Sequence, residues 1–229
     1  MLGLVFICSG CRDVVFNNPL DPDAARADLK IVKTFVTALS GEGDIAHDGE
    51  KIWKADRSGR IAAFDPLSGF TIRSLQLRSS SGIAYHDQLL YLAVQNQNAL
   101  ESYDPLSGAL VKIHSTGQYY FQYLASTGSE LIAYDSRTSS LFLYQPDSGE
   151  VSPLFPLSGF RPGGMAFCDG RIVISELNSN TVYFFDIDGQ VSNIYNSPVQ
   201  SMSGITVDPA SLTLCLFTIN GDVYLVTVP

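Results

Sequence analysis

The chain has 229 residues, of which 16% are charged and 45% hydrophobic, and a formal net charge of −9. A charged fraction well under the ~25% of average soluble domains, with that much apolar content, excludes a disordered chain. The apolar run near the start, residues 2–8, is far shorter than the ~20 residues of a membrane-spanning helix, and the few scattered Lys and Arg exclude a surface built to neutralise nucleic-acid phosphates.

The N-terminus reads Met1-Leu-Gly-Leu-Val-Phe-Ile-Cys8-Ser-Gly-Cys11, with Asn18-Pro-Leu-Asp-Pro-Asp23 following. An apolar run, two small residues and a cysteine resemble the end of a bacterial lipoprotein signal peptide, and the polar stretch resembles the tether of such proteins. The resemblance implies Cys11 as the lipid attachment and residues 1–28 as signal and tether. It also implies a place in the bacterial cell envelope, with the membrane touched only through the anchor. One acyl chain holds a protein on a membrane only marginally, so stable anchoring needs several. Cys8-x-x-Cys11 is only half of a tetrahedral zinc site, and Cys168 and Cys215 read as small buried hydrophobes.

From residue 29 onward the chain repeats. Four segments end alike: Ile61-Ala-Ala-Phe-Asp-Pro-Leu-Ser-Gly69, Leu100-Glu-Ser-Tyr-Asp-Pro-Leu-Ser-Gly108, Leu141-Phe-Leu-Tyr-Gln-Pro-Asp-Ser-Gly149 and Val182-Tyr-Phe-Phe-Asp-Ile-Asp-Gly189. Asp65, Asp104, Gln145 and Asp186 stand 39, 41 and 41 residues apart. Each unit also begins alike, as in Asp44-Ile-Ala-His47, Gly82-Ile-Ala-Tyr85, Gln122-Tyr-Leu-Ala125, Gly164-Met-Ala-Phe167 and Gly204-Ile-Thr-Val207. A second β-rich run lies between, and turn chemistry separates the pieces: Asp48-Gly49 and Asp169-Gly170 suit a hairpin turn, and Asp-Pro-Leu-Ser-Gly supplies the next reversal. Each unit therefore reads as four short strands, a to d. Repeats of ~40 residues of this kind predict a β-propeller, whose ring protects its sheet edges.

The ends of the chain give the blade count. The fifth unit stops after strand c, at Asp222-Val-Tyr-Leu-Val-Thr227, while Leu29-Lys-Ile-Val-Lys-Thr-Phe35 resembles the d strands of other units. The expected fold is an all-β, five-bladed β-propeller of four-stranded antiparallel blades, with the N-terminal strand closing the last blade. Its blades run at about 44–79, 82–117, 120–159, 161–199, and 202–228 plus 29–39, so that 29–229 is one propeller domain.

Gly82-Ile-Ala-Tyr85, Leu90-Tyr-Leu-Ala-Val94 and Ser102-Tyr-Asp-Pro-Leu-Ser-Gly108 resemble the NHL and YVTN-type propeller repeats of bacterial secreted and surface proteins. The resemblance spans residues 29–229. It implies fold more than function, since such repeats serve binding scaffolds, lactonases, lyases and quinoprotein-like domains. Trp53 is the sole tryptophan, so the tryptophan motif of quinoprotein repeats is absent.

In a propeller the b–c and d–a loops emerge together around one end of the central channel. Aligned on the strand-c Asp, the residues Asp56, Gln95, Asp135, Glu176 and Thr218 fall at the end of strand b, with Asn96, Asn98, Asn178, Asn180 and Asn220 after them. Asp56, Gln95, Asp135 and Glu176 are the candidate ligand-binding residues. Of these, Asp56, Asp135 and Glu176 are the candidate metal ligands, because a ring of oxygens on an axis suits a hard cation such as Ca²⁺. The same carboxylates could do acid–base work, or could simply cap turns. Tyr119, Tyr120, Phe121 and Tyr123 either stack on a ligand at the channel mouth or belong to strand and core. His47 and His86 fall near a–b turns on the opposite face, and no catalytic residue set can be assembled.

The expected function is a surface-anchored, non-enzymatic binding module, monomeric, using the loop face of the propeller for a protein or small polar ligand, carbohydrate included. The alternative is a metal-dependent hydrolase or lyase, lactonase-like or glycosidase-like, with carboxylates at the channel mouth. The acidic balance disfavours nucleic acid as partner.

Overall fold

The computed structural model describes residues 26–177 and 179–229. Two strands come before the first repeat, β1 (Ala27–Asp28) and β2 (Lys30–Val36). The first blade is β3 (Gly43–His47), β4 (Ile52–Asp56), β5 (Arg60–Phe64) and β6 (Thr71–Gln76). The second is β7 (Ser80–His86), β8 (Leu89–Val94), β9 (Ala99–Tyr103) and β10 (Leu110–Ser115). The third is β11 (Phe121–Ser126), β12 (Leu131–Asp135), β13 (Ser140–Tyr144) and β14 (Val151–Pro156). The fourth is β15 (Pro162–Cys168), β16 (Arg171–Glu176), β17 (Thr181–Phe185) and β18 (Val191–Asn196). β19 (Met202–Val207), β20 (Leu214–Thr218) and β21 (Asp222–Thr227) form the last, and β2 completes it.

The closure is the one the repeat pattern predicts. β2 runs antiparallel to β21, from Lys30 opposite Thr227 to Val36 opposite Asp222, so the strand before the first repeat and the last strand share one sheet. Pairing removes an open edge that would otherwise invite intermolecular pairing. The structure adds an element the repeats do not announce. β1 pairs in parallel with β18, Leu29 N–H donates to Asn196 O at 2.9 Å, and Asn196 Nδ2 donates to Asp28 Oδ1 at 3.0 Å. Residues 27 and 28, at the end of the segment read as a tether, thus extend the fourth blade before the chain enters the fifth.

Burial follows strand position. The a, b and c strands are almost wholly buried, as in Ile52–Asp56, while the outer d strands expose side chains such as Val32, Ile72 and Val111. The core lies between the blades. Trp53, Ile61, Ile83 and Leu92 fill the contact of blades one and two. Tyr91, Leu100, Leu124 and Phe142 fill that of two and three. Phe35, Ile45, Cys215 and Phe217 join the last blade to the first. Each blade is therefore stabilised by its neighbours, and the ring is the cooperative unit.

The Asp-Pro-Leu-Ser-Gly turns lock onto the preceding blade. Asp65 accepts the Leu67 N–H at 2.7 Å and the Ser68 hydroxyl at 3.0 Å, and Gly69 adopts φ +75°. A Cβ on Gly69 would stand 2.6 Å from the Phe35 ring of the previous d strand. At the same junctions a cation on one d strand donates to a carbonyl of the next turn: Lys33 to Leu67 O, Arg73 to Leu106 O, and Lys112 to Pro146 O at 3.5 Å.

Candidate functional site

The five a strands surround the axis, and strand pairing makes Asp44, Gly82, Tyr123, Gly164 and Gly204 equivalent. Three of the five are glycine because the strands approach closely: a Cβ on Gly82 would lie 2.5 Å from Gln122 O. The remaining side chains occupy the space so freed. Asp44, fully buried, accepts the N–H of Ile45 at 2.9 Å through Oδ1 and that of Ile83 at 3.4 Å through Oδ2. Burial drives its carboxyl well above the ordinary range, against the pull of those N–H groups and of Lys54. Lys54 is also buried, donates to Gly41 O at 3.0 Å and lies 3.8 Å from the centroid of the Phe217 ring. Burial lowers its pKa to about 8, with Asp44 and Asp56 opposing the shift.

Beyond this plug, on the face of the d–a and b–c loops, lies a cavity of about 670 Å³. Its walls include Glu42, Arg57, Ser81, Tyr123, Tyr134, Phe160, Arg161, Leu177 and Ser203. Arg57 is ion-paired with Glu42. Phe160 stands edge-on to Tyr183 at 4.9 Å between centroids. The Ser203 hydroxyl is buried without a hydrogen-bond partner. A buried hydroxyl left unpaired costs free energy unless something else satisfies it.

The residues expected at this mouth are engaged locally. Asp56 accepts from Ser58 N–H at 2.9 Å, Ser58 Oγ at 2.6 Å, Arg60 N–H at 3.0 Å and Arg60 Nε at 2.8 Å. Burial raises its pKa, but those bonds outweigh it and hold the carboxyl below its usual value. Asp135 accepts from Arg137 N–H at 3.0 Å and Thr138 Oγ1 at 3.1 Å, and Glu176 accepts from Ser179 Oγ at 3.0 Å. Gln95 accepts from Ser79 Oγ at 2.6 Å. Its register differs from the alignment. Val94 ends β8 where Asp56 ends β4, because the b–c loop of the second blade is longer by one residue, 95–98 against 57–59. Thr218 accepts the Asp222 N–H at 3.2 Å. Among the described residues no three His, Cys, Asp or Glu side chains come together as a metal-holding group, and Asp56, Gln95, Asp135 and Glu176 do not line the cavity. Asn178 and Cys11 lie outside the described residues.

The aromatic run divides. Phe121 is buried against Phe142, Tyr120 bonds Asn96 through its hydroxyl, and Tyr123 lines the cavity. The opposite mouth, where the a–b turns meet, holds a smaller cavity of about 430 Å³ lined by His47, His86, Ser126 and Cys168 among others. His86 Nδ1 lies 2.9 Å from Ser126 Oγ, which also accepts the Gly128 N–H at 3.2 Å. Burial lowers the pKa of His86 and raises that of Cys168, so neither the imidazolium nor the thiolate is favoured.

Sequence reasoning missed Asp44, Lys54, Arg161 and Ser203. One signal for Asp44 was present: it stands where Gly82, Gly164 and Gly204 stand in other repeats.

Five four-stranded blades, the last closed by pairing of β2 with β21, define a five-bladed β-propeller. Glutaminyl cyclase of Myxococcus xanthus superposes with a TM-score of 0.72 at 14% identity, covering 88% of this chain and 97% of that one. The β-propeller domain of Myceliophteria thermophila Cps50 (Swd1) superposes with a TM-score of 0.57 at 10% identity, covering 88% of this chain and all (100%) of that one. BamB from Moraxella catarrhalis gives 0.48 at 17% identity, over 82% and 58% of the two chains. At such identities the likeness is one of fold. No protein-family model and no curated protein matches the sequence.

Proposed function

We propose that the chain is a non-enzymatic binding module whose ligand enters the cavity at the d–a and b–c end of the channel. The observation that carries this reading is the cavity itself: about 670 Å³, with aromatic walls, two arginines and an unpaired buried hydroxyl at Ser203. That size and mixture suit a small molecule or the end of a larger one. Attachment through Cys11 would hold the propeller at the bacterial envelope, and Cys11→Ser should then release it from the membrane fraction.

The test is a thermal-shift screen of sugars, peptides and organic acids on the full chain, repeated on Ser203→Phe, which fills the cavity, and on Ser126→Phe at the opposite mouth. Shifts lost only in Ser203→Phe support the reading. Shifts lost only in Ser126→Phe move the site to the other end. The glutaminyl cyclase likeness names the enzymatic outcome to check. Ammonia release from a peptide beginning with glutamine, as its α-amine attacks the side-chain carboxamide, would replace a binding function by a catalytic one.

A further inference from the structure

The two faces of the ring differ in charge. The a–b and c–d turns carry Asp48, Asp65, Asp87, Asp104, Asp169 and Asp186 against Lys51, whereas the opposite face presents Arg57, Arg137 and Arg161 beside Glu42 and Glu176. On that second face the carboxylates Asp56 and Asp135 are turned inward, 4% and 1% exposed, onto their own turns. The arginine-bearing mouth is therefore the less acidic of the two, and an anion meets less repulsion there than at the a–b and c–d face.

Within that mouth the two lining arginines are not equal. Arg57 is ion-paired with Glu42, while exposed Arg161 belongs to none of the ion pairs among the described residues. Ser203, buried and without a partner, lines the same cavity, and Tyr134, Phe160 and Leu177 give it apolar walls.

Building on the binding reading above, we propose that the cavity takes a carboxylate on an apolar body, with Arg161 holding the carboxylate and Ser203 donating a hydrogen bond to the ligand. A guanidinium meets a carboxylate through two parallel hydrogen bonds. One unpaired guanidinium balances one negative charge, and Glu42 nearby repels a second, which favours a monoanionic carboxylate over a phosphate. Two sources share this chemistry, a free organic acid and the C-terminus of a polypeptide.

Calorimetric titration of the full chain with N-acetyl-phenylalanine and its primary amide tests the class. An N-acetyl pentapeptide ending in phenylalanine, as acid and as amide, tests the source. The acids should bind saturably, and the amides and the Arg161→Gln variant should bind about tenfold or more weakly, as expected for loss of a charge-assisted pair. Tighter binding of the pentapeptide acid assigns a chain end, and tighter binding of the short acid assigns a free acid. Equal binding of acid and amide, abolished by Ser203→Phe, overturns the carboxylate and leaves the cavity reading standing. Acid binding unchanged in Arg161→Gln also overturns the proposal, as does failure of both acids to bind. Arg161 is exposed, so its replacement leaves the core intact, and circular dichroism checks the fold of Ser203→Phe.

Discussion

The carboxylate of Asp44, on the innermost strand of the first blade, accepts the N–H of Ile83 on the innermost strand of the second at 3.4 Å. This bond crosses from blade to blade at the axis, where no sheet ladder can. It places a fully buried carboxyl among backbone donors of the innermost strands, with the Lys54 ammonium opposing the rise in its pKa that burial causes.

Removing that carboxyl should be costly. Asp44→Ala leaves the Ile45 and Ile83 N–H groups unpaired in the interior, and each such group costs about 1–3 kcal/mol. Urea denaturation at neutral pH measures the loss. A change under about 0.5 kcal/mol, the range of surface substitutions, would contradict a structural role for this residue.

The same group predicts a pH dependence. Its folded pKa is raised by burial above the unfolded value of ~4, so the folded state holds the proton more tightly across the interval between them. Stability contributed by Asp44 is therefore present at acid pH and lost as pH rises through the folded pKa. The stability of the native chain minus that of Asp44→Asn should fall from pH 4 upward. A difference that rises over this range would be the wrong sign.

Lys54 acts in the alkaline range. With a folded pKa of about 8 against an unfolded ~10.4, the unfolded chain binds the proton more tightly between those values. The stability difference between the native chain and Lys54→Met should accordingly rise from pH 8 to 10. Denaturant midpoints across that range check it.

Asp56 is expected to behave as a turn cap. It holds four donors in one b–c loop, so Asp56→Ala should cost about 1–3 kcal/mol. Its folded pKa is depressed, so the difference from Asp56→Asn is present above the unfolded value of ~4 and is lost as pH falls through the folded pKa. Calorimetric scans with and without Ca²⁺ separate the cap from a metal ligand: destabilisation that Ca²⁺ leaves unchanged supports the cap.

Closure of the ring can be tested by removing it. Deleting residues 26–36 strips β2 from the last blade, bares the edge of β21 and removes Phe35 from the contact with the first blade. The truncated chain should aggregate or lose its single cooperative transition in calorimetry. A soluble truncated monomer with one sharp transition would show that the ring does not depend on this strand.

Much of this architecture can be read in the residues. The recurrence of Asp-Pro-Leu-Ser-Gly at 65–69 and 104–108 marks the c–d turns, and the likeness of residues 29–35 to other d strands marks the closure. These signals are local, because turns and strands follow from neighbouring side chains and backbone preferences. Register was less legible. Asp56 and Gln95 keep equal spacing to their strand-c Asp, yet Val94 is the true counterpart of Asp56, since loop length changes without altering the turn motif.

The sequence by itself determined that the chain is a ring of five repeated four-stranded units joined end to end, because repetition and turn chemistry act over a few residues at a time. Tertiary structure alone decided what faces the axis and what converges at its mouths. Asp56, Asp135 and Glu176 turn into their own loops, while Arg161, Ser203 and Tyr123, from three different blades, meet around one cavity. The physical reason is that convergence depends on blade tilt and on how closely the inner strands pack. That packing is set by glycines such as Gly82 and by a single buried carboxylate at position 44, whose effect appears only once the ring has closed.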